Sequence, residues 1–461
     1  MTILIGGGTV LSPAGAVAAD VLIDGETIAA VFAPGAGPQA GQVIDATGKY
    51  VLPGGIDVHT HMEMPFGGTF AADTFETGTI AAAFGGTTTI VDFPVQAKGA
   101  SLLATLDKWH EKADGAAAID YGFHMIVADV NDATLKEMDA CIAAGVTSFK
   151  MFMAYPGVFY ATDGEILLAM QQARASGAMI MMHAENGIAI DQLVAQALAA
   201  GRTGPVNHGL TRPPELEGEA TSRAIQLAKV AGCPLYIVHL SAANALKAVT
   251  EARDGGQNVF AETCPQYLYL TLDDMAGPGF DGAKYVCSPP LRTPEHGAAL
   301  WRGLRTNDLS VVSTDHCPFC LKGQKELGIG DFSKIPNGIP AVEHRMDLLH
   351  QGVVAGEITL GRWVEISSAT PARIFGLYPR KGVIAAGSDA DIVIYDPGAA
   401  QVISAATHHM NVDYSAFEGM AVTGRVVTTL SRGRVIVDGG TFTGSAGHGQ
   451  FLPRGLNQYL V

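Results

Sequence analysis

The stretch Gly54-Gly55-Ile56-Asp57-Val58-His59-Thr60-His61 places two histidines, one residue apart, at the end of a short apolar run. Because side chains alternate along a β-strand, His59 and His61 point to the same side and can reach one metal ion. Other residues of metal-ligand type end later apolar runs in the same manner: His183, His239 and Asp315. This recurrence predicts one cluster at one end of a parallel barrel.

Strand-like runs alternate with helix-like segments through the middle of the chain. The eight runs are 56–58, 87–93, 121–127, 147–151, 178–182, 235–238, 258–263 and 309–313. The segments between them carry helical periodicity, as in 102–112, 134–144 and 165–174. Eight alternations predict an α/β fold of the TIM-type (β/α)8 class. A doubly wound open sheet is the alternative, but no Gly-x-Gly-x-x-Gly motif opens a helix here.

Both ends of the chain read as short strands and turns. One hairpin is predicted around Asp24-Gly25, and another around Arg432-Gly433. Neither end makes a convincing core alone, so we expect residues 1–51 and 380–440 to form one β-sandwich beside a catalytic barrel at 52–379. The composition of the glycine-rich tail, 441–461, is typical of a disordered segment.

The bulk composition narrows the class of protein. Of the 461 residues, 48% are apolar and 16% are charged, against about a quarter in an average protein. The formal charge of −16 argues against nucleic acid or an anionic membrane as the partner. The six cysteines show no disulfide framework, and no run approaches the roughly 18 apolar residues of a membrane span. With no basic leader at the N-terminus, we expect a cytoplasmic protein.

The chemistry of the candidate cluster depends on its position in the barrel. Catalytic groups of TIM barrels sit at the C-terminal ends of the strands, where Lys150 ends the fourth run. Imidazole and carboxylate groups suit zinc, and also manganese or cobalt. A single His183 or His239 would more often be structural, but four histidines on one rim make that interpretation weak.

Lys150 and Asp315 each allow two interpretations. Apolar neighbours predict that Lys150 is buried with a lowered pKa, and a neutral amine can capture carbon dioxide as a carbamate; a snorkelling lysine is the alternative. Asp315 could bind a metal and move a proton, or it could cap a helix. His316 is expected to pack or bond nearby. Cys317 and Cys320 form a lone Cys-x-x-Cys that we interpret as free thiols.

Specific motifs extend over nearly the whole chain. They are 51–61 (Val-Leu-Pro-Gly-Gly-Ile-Asp-Val-His-Thr-His), 64–68, Phe149-Lys150, Tyr155, His183-Ala184-Glu185-Asn186, 238–241, 262–267, 288–292, 314–319 and Pro336-Asn337-Gly338. With these motifs the chain resembles the cyclic amidohydrolases, most closely the dihydropyrimidinase/D-hydantoinase group.

The resemblance implies a (β/α)8 barrel, a β-sandwich and a binuclear zinc centre. Two Zn²⁺ ions per subunit would be bridged by N6-carboxylated Lys150 and a hydroxide. The remaining ligands would be His59, His61 and Asp315 on one ion, and His183 and His239 on the other.

The implied reaction is hydrolytic opening of a cyclic amide to an N-carbamoyl amino acid. Asp315 would carry the proton from water to the leaving nitrogen, and Tyr155 would hydrogen-bond the oxyanion. The backbones of Ser288 and Asn337 would hold the ring. Taken without the resemblance, Tyr155 could be a core or lid aromatic, and the other two could be turn residues.

The substrate is less closely defined than the reaction. No arginine follows the paired histidines, which disfavours an anionic ring of the kind dihydroorotases bind. An apolar wall for a ring substituent could be formed by Met62, Met64, Phe66, Phe152 and Phe159, with core packing as the alternative. Allantoinase, phenylhydantoinase and a non-catalytic scaffold remain alternatives. Relatives have a similar tail that packs on a neighbouring subunit, and they are commonly tetramers. The resemblance therefore implies that the tail, 441–461, contacts another subunit and that the protein is a homotetramer.

Overall fold

The predicted parallel strands form a closed barrel. A computed structural model describes residues 2–458. Its barrel strands, numbered one to eight here, are Gly55–Thr60, Thr87–Asp92, Asp120–Phe123 with Met125–Ile126, Ser148–Phe152, Met179–His183, Leu235–Ile237, Val259–Thr263 and Val311–Val312. Neighbours pair in parallel and in chain order. The barrel closes where Thr60 bridges His316, and the predicted α/β barrel is confirmed.

Strand three differs from its prediction, which was one continuous strand over 121–127. It is interrupted at His124, whose backbone N–H donates to Asp92 O at 2.8 Å. The His124 ring is fully buried and makes hydrogen-bond contacts with Ser148 Oγ and Val58 O. The first half of the strand therefore pairs with strand two and the second half with strand four.

Helices surround the barrel. The α-helices are Phe75–Phe84, Leu102–Ala113, Asp132–Ala143, Asp163–Ser176, Gly187–Ala199, Val206–Leu210, Pro214–Ala231, Ala243–Asp254, Pro265–Tyr269, Pro294–Thr306, Arg345–Val354, Leu360–Val364 and Thr370–Ile374. Short 3-10 helices lie at Leu272–Ala276, Asp281–Tyr285, Lys325–Gly328 and Phe332–Lys334, a π-helix at Glu365–Ala369, and a small hairpin at Pro65–Phe66 and Thr69–Phe70. The three helices expected at 102–112, 134–144 and 165–174 are present, and the side chains of Ser101, Asn131 and Thr162 cap their first turns. Within residues 2–458, no helix has the length and apolar character that crossing a bilayer requires.

Both ends of the chain build a second sheet, as the fold prediction required. Its strands are Thr2–Ser12, Gly15–Asp24, Thr27–Phe32, Gln42–Asp45, Tyr50–Pro53, Ile392–Val402, Ala421–Ser431, Arg434–Asp438 and Thr441–Phe442. The two predicted hairpins are present, with Asp24 paired to Thr27 and Ser431 paired to Arg434. Buried side chains from both ends, including Ile5, form one apolar cluster in this β-sandwich.

A buried ionic network fastens the β-sandwich to the barrel. Lys381 Nζ lies 2.6 Å from Asp120 Oδ2, at the start of strand three, and 2.7 Å from Asp391 Oδ2. Arg432 Nε lies 3.1 Å from the other Asp120 oxygen. Because these side chains are almost fully buried, loss of one partner would leave an uncompensated charge inside the protein.

The C-terminal tail lies across its own barrel, at the end opposite to the predicted cluster. Tyr121, near the start of strand three, donates its N–H to Gln450 O at 3.0 Å and accepts from Leu452 N at 2.7 Å. The described part of the tail is therefore ordered against the barrel, and the prediction of disorder is wrong for it. Its last three residues lie outside the described part of the chain, and a subunit contact stays a prediction.

Arg454 anchors this tail beneath the barrel. Arg454 is 4% exposed, and its guanidinium contacts Phe123 O and donates to Ser148 Oγ at 2.9 Å. Burial lowers the pKa of Arg454 to about 9. Its hydrogen bonds thus satisfy polar groups between strands three and four.

Arg454→Met is expected to destabilise the fold by ~1–3 kcal/mol, because a buried carbonyl would lose its donor while the apolar volume is kept. Denaturant unfolding of the purified protein measures this difference. Arg202→Met, at an exposed arginine, serves as the control and should unfold like the parent protein. Equal midpoints for the Arg454→Met and parent proteins would contradict the anchoring role.

Candidate metal centre

His59 and His61 share one face at the C-terminal end of strand one. Thr60 lies between them and donates its hydroxyl to Asp92 Oδ2 at 3.0 Å. The Nε2 atoms of His59 and His61 lie 3.1 and 3.3 Å from the same oxygen, Asp315 Oδ1. The ligand-type atoms of these two histidines and Asp315 all lie within 4.8 Å of one another. Strands one and eight therefore bring together a group that could hold one metal ion.

Asp315 is held in place by its neighbour on the chain. Thr314 donates its N–H and its hydroxyl to the two carboxylate oxygens of Asp57, at 3.1 and 2.6 Å. Asp57 Oδ1 also accepts from His59 N at 3.2 Å. Asp315 itself has a φ of 50°, in the left-handed region that favours glycine. Such strain persists only where surrounding contacts impose it, and it is typical of functional sites.

Lys150 ends strand four with its amine inside the cluster. Its Nζ lies 2.8 Å from His59 Nε2 and 4.4 Å from the centre of the Phe93 ring. Burial lowers the pKa of Lys150 to about 8, although the charges of Asp315 and Glu262 act in the opposite direction. At neutral pH a larger fraction of this amine is uncharged than in an exposed lysine. The uncharged amine is the form that can react with carbon dioxide.

His183 and His239, at the C-terminal ends of strands five and six, complete the cluster. Their ring centres are 4.6 Å apart, and the His239 ring lies 5.3 Å from that of His59. His183 Nε2 lies 2.7 Å from Glu185 Oε2, which leaves Nδ1 as the nitrogen for a metal. His239 has a φ of 38°, a second strained backbone position at this rim. The structure thus brings together all six predicted ligands.

The protonation states of the cluster suit a divalent metal. Burial, followed by nearby positive charge, holds the pKa of His59 and of His239 well below the ordinary value. Although burial opposes it, the neighbouring His59 and His61 lower the pKa of Asp315 to about 2. Neutral imidazoles and an ionised carboxylate are the forms that bind zinc and similar ions. The side chains present therefore fit a metal centre.

Glu262, which is not among the predicted site residues, contacts the ring of His59 and the backbone of His239. Its Oε1 contacts His59 Nδ1 and accepts from His239 N at 3.1 Å, while Oε2 accepts from the Tyr236 hydroxyl at 2.8 Å. A carboxylate on the second nitrogen of a metal-binding histidine fixes the ring orientation. Burial raises the pKa of Glu262 to about 7. The only charged residue in the buried strand Val259–Thr263 is Glu262, and this was the signal available in the sequence.

Five members of the cluster, one from each of five barrel strands, line a cavity that opens to solvent: His61, Lys150, His183, His239 and Asp315. Four of the five residues proposed for an apolar wall line this cavity: Met64, Phe66, Phe152 and Phe159. The rings of Phe152 and Phe159 stack with their centres 5.0 Å apart. An apolar surface therefore stands beside the polar cluster, as a site for a partly apolar small molecule requires.

Met62 is a correction to the predicted wall. It is fully buried in the main core, and its backbone N–H donates to Asp92 Oδ2 at 2.8 Å. Its side chain packs against helix Phe75–Phe84, where a Cβ on Gly78 would lie only 2.3 Å from Met62 Sδ. For Met62, the alternative interpretation, core packing, is therefore the correct one.

The three residues assigned to substrate contacts lie together at the cavity. Asn337 Nδ2 is 3.4 Å from the Tyr155 hydroxyl and 3.2 Å from Ser288 Oγ. His208 Nε2 lies 3.1 Å from the same serine oxygen. Burial, and then the charge of Glu185, raise the pKa of Tyr155 above its ordinary value. The phenol therefore keeps its proton and can donate a hydrogen bond.

The remaining polar residues after strand eight have structural contacts. His316 is fully buried, and its Nε2 lies 3.0 Å from Asp73 Oδ2, so it bonds nearby as expected. Cys317 and Cys320 are free thiols, which confirms that prediction. Cys317 also lines the cavity.

Comparisons with known proteins identify the family of this chain. Residues 50–436 match the amidohydrolase family. The chain is 66% identical over 462 residues to a D-hydantoinase of Streptomyces coelicolor, covering 99% of each chain. It is 52% identical to a D-hydantoinase of Geobacillus stearothermophilus, covering 98% of this chain and 97% of that protein. A solved dihydropyrimidinase from Brevibacillus agri NCHU1002 has a TM-score of 0.98 at 51% identity and covers 99% of both chains. This chain belongs to the amidohydrolase family.

Proposed function

We propose that this protein hydrolyses cyclic amides, opening 5,6-dihydropyrimidines such as dihydrouracil and 5-monosubstituted hydantoins to N-carbamoyl amino acids. The observation that carries the proposal is the convergence of ligand-type side chains from five barrel strands in one cavity with an apolar wall. The names of the relatives, D-hydantoinase and dihydropyrimidinase, support this substrate class.

The cofactor in this proposal is a pair of Zn²⁺ ions. His59, His61 and Asp315 would hold one ion, His183 and His239 would hold the other, and Lys150, carboxylated on Nζ, would bridge them. Such ions, when bound, lower the pKa of water and polarise a carbonyl group. The low pKa of Asp315 and the neutral state of the buried histidines favour this arrangement.

The protein's own groups then act on the ring. Asp315, ionised at neutral pH, accepts the proton of the attacking water and returns it to the ring nitrogen as the carbon–nitrogen bond breaks. The Tyr155 phenol donates to the carbonyl oxygen as negative charge develops on it. The backbones of Ser288 and Asn337 hold the ring amide groups in register with these two residues.

Substrate selection is assigned to the cavity wall. A substituent on the ring carbon would lie against Met64, Phe66, Phe152 and Phe159, which favours apolar groups. A cytoplasmic homotetramer is also proposed, on the resemblance alone, and sedimentation of the purified protein checks the oligomeric state.

A substrate panel tests the proposed function. Zinc-loaded protein is expected to open dihydrouracil and D-5-monosubstituted hydantoins, with little turnover of the L enantiomers or of allantoin. Product formation is measured by chromatography of the N-carbamoyl compounds. Preferential hydrolysis of allantoin would favour allantoinase, and a well-folded protein with no zinc and no metal-dependent turnover would favour the scaffold alternative.

Lys150→Ala is expected to abolish metal occupancy and activity, because the bridging group would be lost. Short-chain carboxylates should restore part of both by occupying the vacated position. Metal content by atomic emission and hydantoin turnover are the measurements, with the exposed Lys108→Ala as the matched control. Full activity in Lys150→Ala would refute the bridging role.

Tyr155→Phe is expected to lower kcat by about 10²–10³-fold, the usual effect of removing one oxyanion donor. Metal content should equal that of the parent protein, because Tyr155 is not a ligand. A parent-like kcat in the metal-loaded variant would remove Tyr155 from the reaction.

A further inference from the structure

Lys325 is a buried lysine behind the cavity. It begins the short helix Lys325–Gly328, has no exposed surface and is not among the residues that line the cavity. Its Nζ donates to two backbone carbonyls, Val286 O at 3.0 Å and Pro336 O at 3.1 Å. The amine thus joins two segments that are far apart along the chain.

These two segments carry the proposed ring contacts. Val286 stands two residues before Ser288, and Pro336 directly precedes Asn337. We call segments 286–288 and 336–338 the ring clamp. Its two halves also contact each other, since Gly338 N donates to Val286 O at 2.9 Å and the side chain of Asn337 donates to Ser288 Oγ at 3.2 Å.

The clamp is bounded on its other sides. Gly338 has a φ of 156°, and a Cβ there would lie 2.1 Å from Cys317 O, so this half packs closely against the loop after strand eight. His208 Nε2 contacts Cys287 O at 2.9 Å and Ser288 Oγ at 3.1 Å, which holds the other half. Lys325 then sets the spacing between two halves that are each already confined.

Only the N–H donors of Lys325 are needed for this role. Burial lowers the pKa of Lys325 to about 7, but both the ammonium and the neutral amine carry enough N–H groups for two carbonyls. A methionine of similar length would fill the same volume without donating. The contribution of the hydrogen bonds can therefore be separated from that of packing.

We propose that Lys325 is a positioning residue for the substrate ring: by bonding Val286 O and Pro336 O together, it fixes the distance between the backbone groups of Ser288 and Asn337 that receive the cyclic amide. This inference rests on the proposed function, since it assigns the support of that same site.

The test compares Lys325→Met with Lys322→Met, an exposed lysine of the same loop. KM, kcat, zinc content and the thermal midpoint are measured for each, with unsubstituted hydantoin and a 5-substituted hydantoin. Lys325→Met is expected to raise KM for both compounds on the order of tenfold at parent-like zinc content. The preference between the two compounds should not change, because the clamp meets the ring that they share. Lys322→Met should behave like the parent protein.

Lys325→Gln keeps an N–H donor with a shorter reach, and its KM should fall between the parent and Lys325→Met values. This variant decides the question if Lys325→Met is not recovered as folded protein. A parent-like KM in the folded variant, or failure of both variants to fold and bind zinc, would overturn the proposal and leave Lys325 as a structural residue. If the parent protein shows no turnover, the proposed function and this inference are both rejected. If the parent protein is active, the kinetics of the Lys325 variants test this inference alone.

Discussion

The closure of the barrel between strands one and eight is the interaction on which the site depends. Asp57, inside strand one, binds both the N–H and the hydroxyl of Thr314. Fully buried Arg345 reinforces the junction, because its guanidinium donates to Ile56 O at 3.1 Å and to Val312 O at 3.0 Å. Without this junction Asp315 would have no fixed position relative to His59.

Burial then determines the chemistry of the groups that this closure brings together. Desolvation disfavours charge on the imidazoles of His59 and His239 and on the amine of Lys150, so it lowers their pKa values. Asp315 escapes the same penalty because the neighbouring histidines stabilise its anion. A single low-dielectric environment thus keeps the imidazoles of His59 and His239 neutral beside an ionised acid, as the binding of a divalent ion requires.

The sequence predicts most of the fold, because the barrel strands are buried on both faces and therefore appear as apolar runs between segments of helical periodicity. The end of strand one was readable from His59 and His61, whose spacing puts them on one face. Met62 was wrongly assigned to the cavity wall, because the alternation of side chains stops at the end of strand one. Beyond that end, the backbone N–H of Met62 donates to Asp92. The interruption of strand three at His124 could not be predicted either, because it depends on contacts with residues of other strands.

The supporting residues of the site were harder to predict than its candidate ligands. Glu262 acts through contacts with His59 and His239, which are distant along the chain; its charge within a buried strand marks it as unusual, but no local pattern identifies these partners. The C-terminal tail shows the same limit: its composition resembles a flexible segment, yet Leu452 and Arg454 bind the bottom of the barrel. Local sequence describes elements, whereas these roles arise from tertiary packing.

The most direct test of the account is anomalous diffraction at the zinc edge from crystals of the zinc-loaded protein. The account predicts two anomalous peaks per chain among His59, His61, Lys150, His183, His239 and Asp315. Peaks located elsewhere, or none within this cluster in a protein that turns over its substrate, would contradict it.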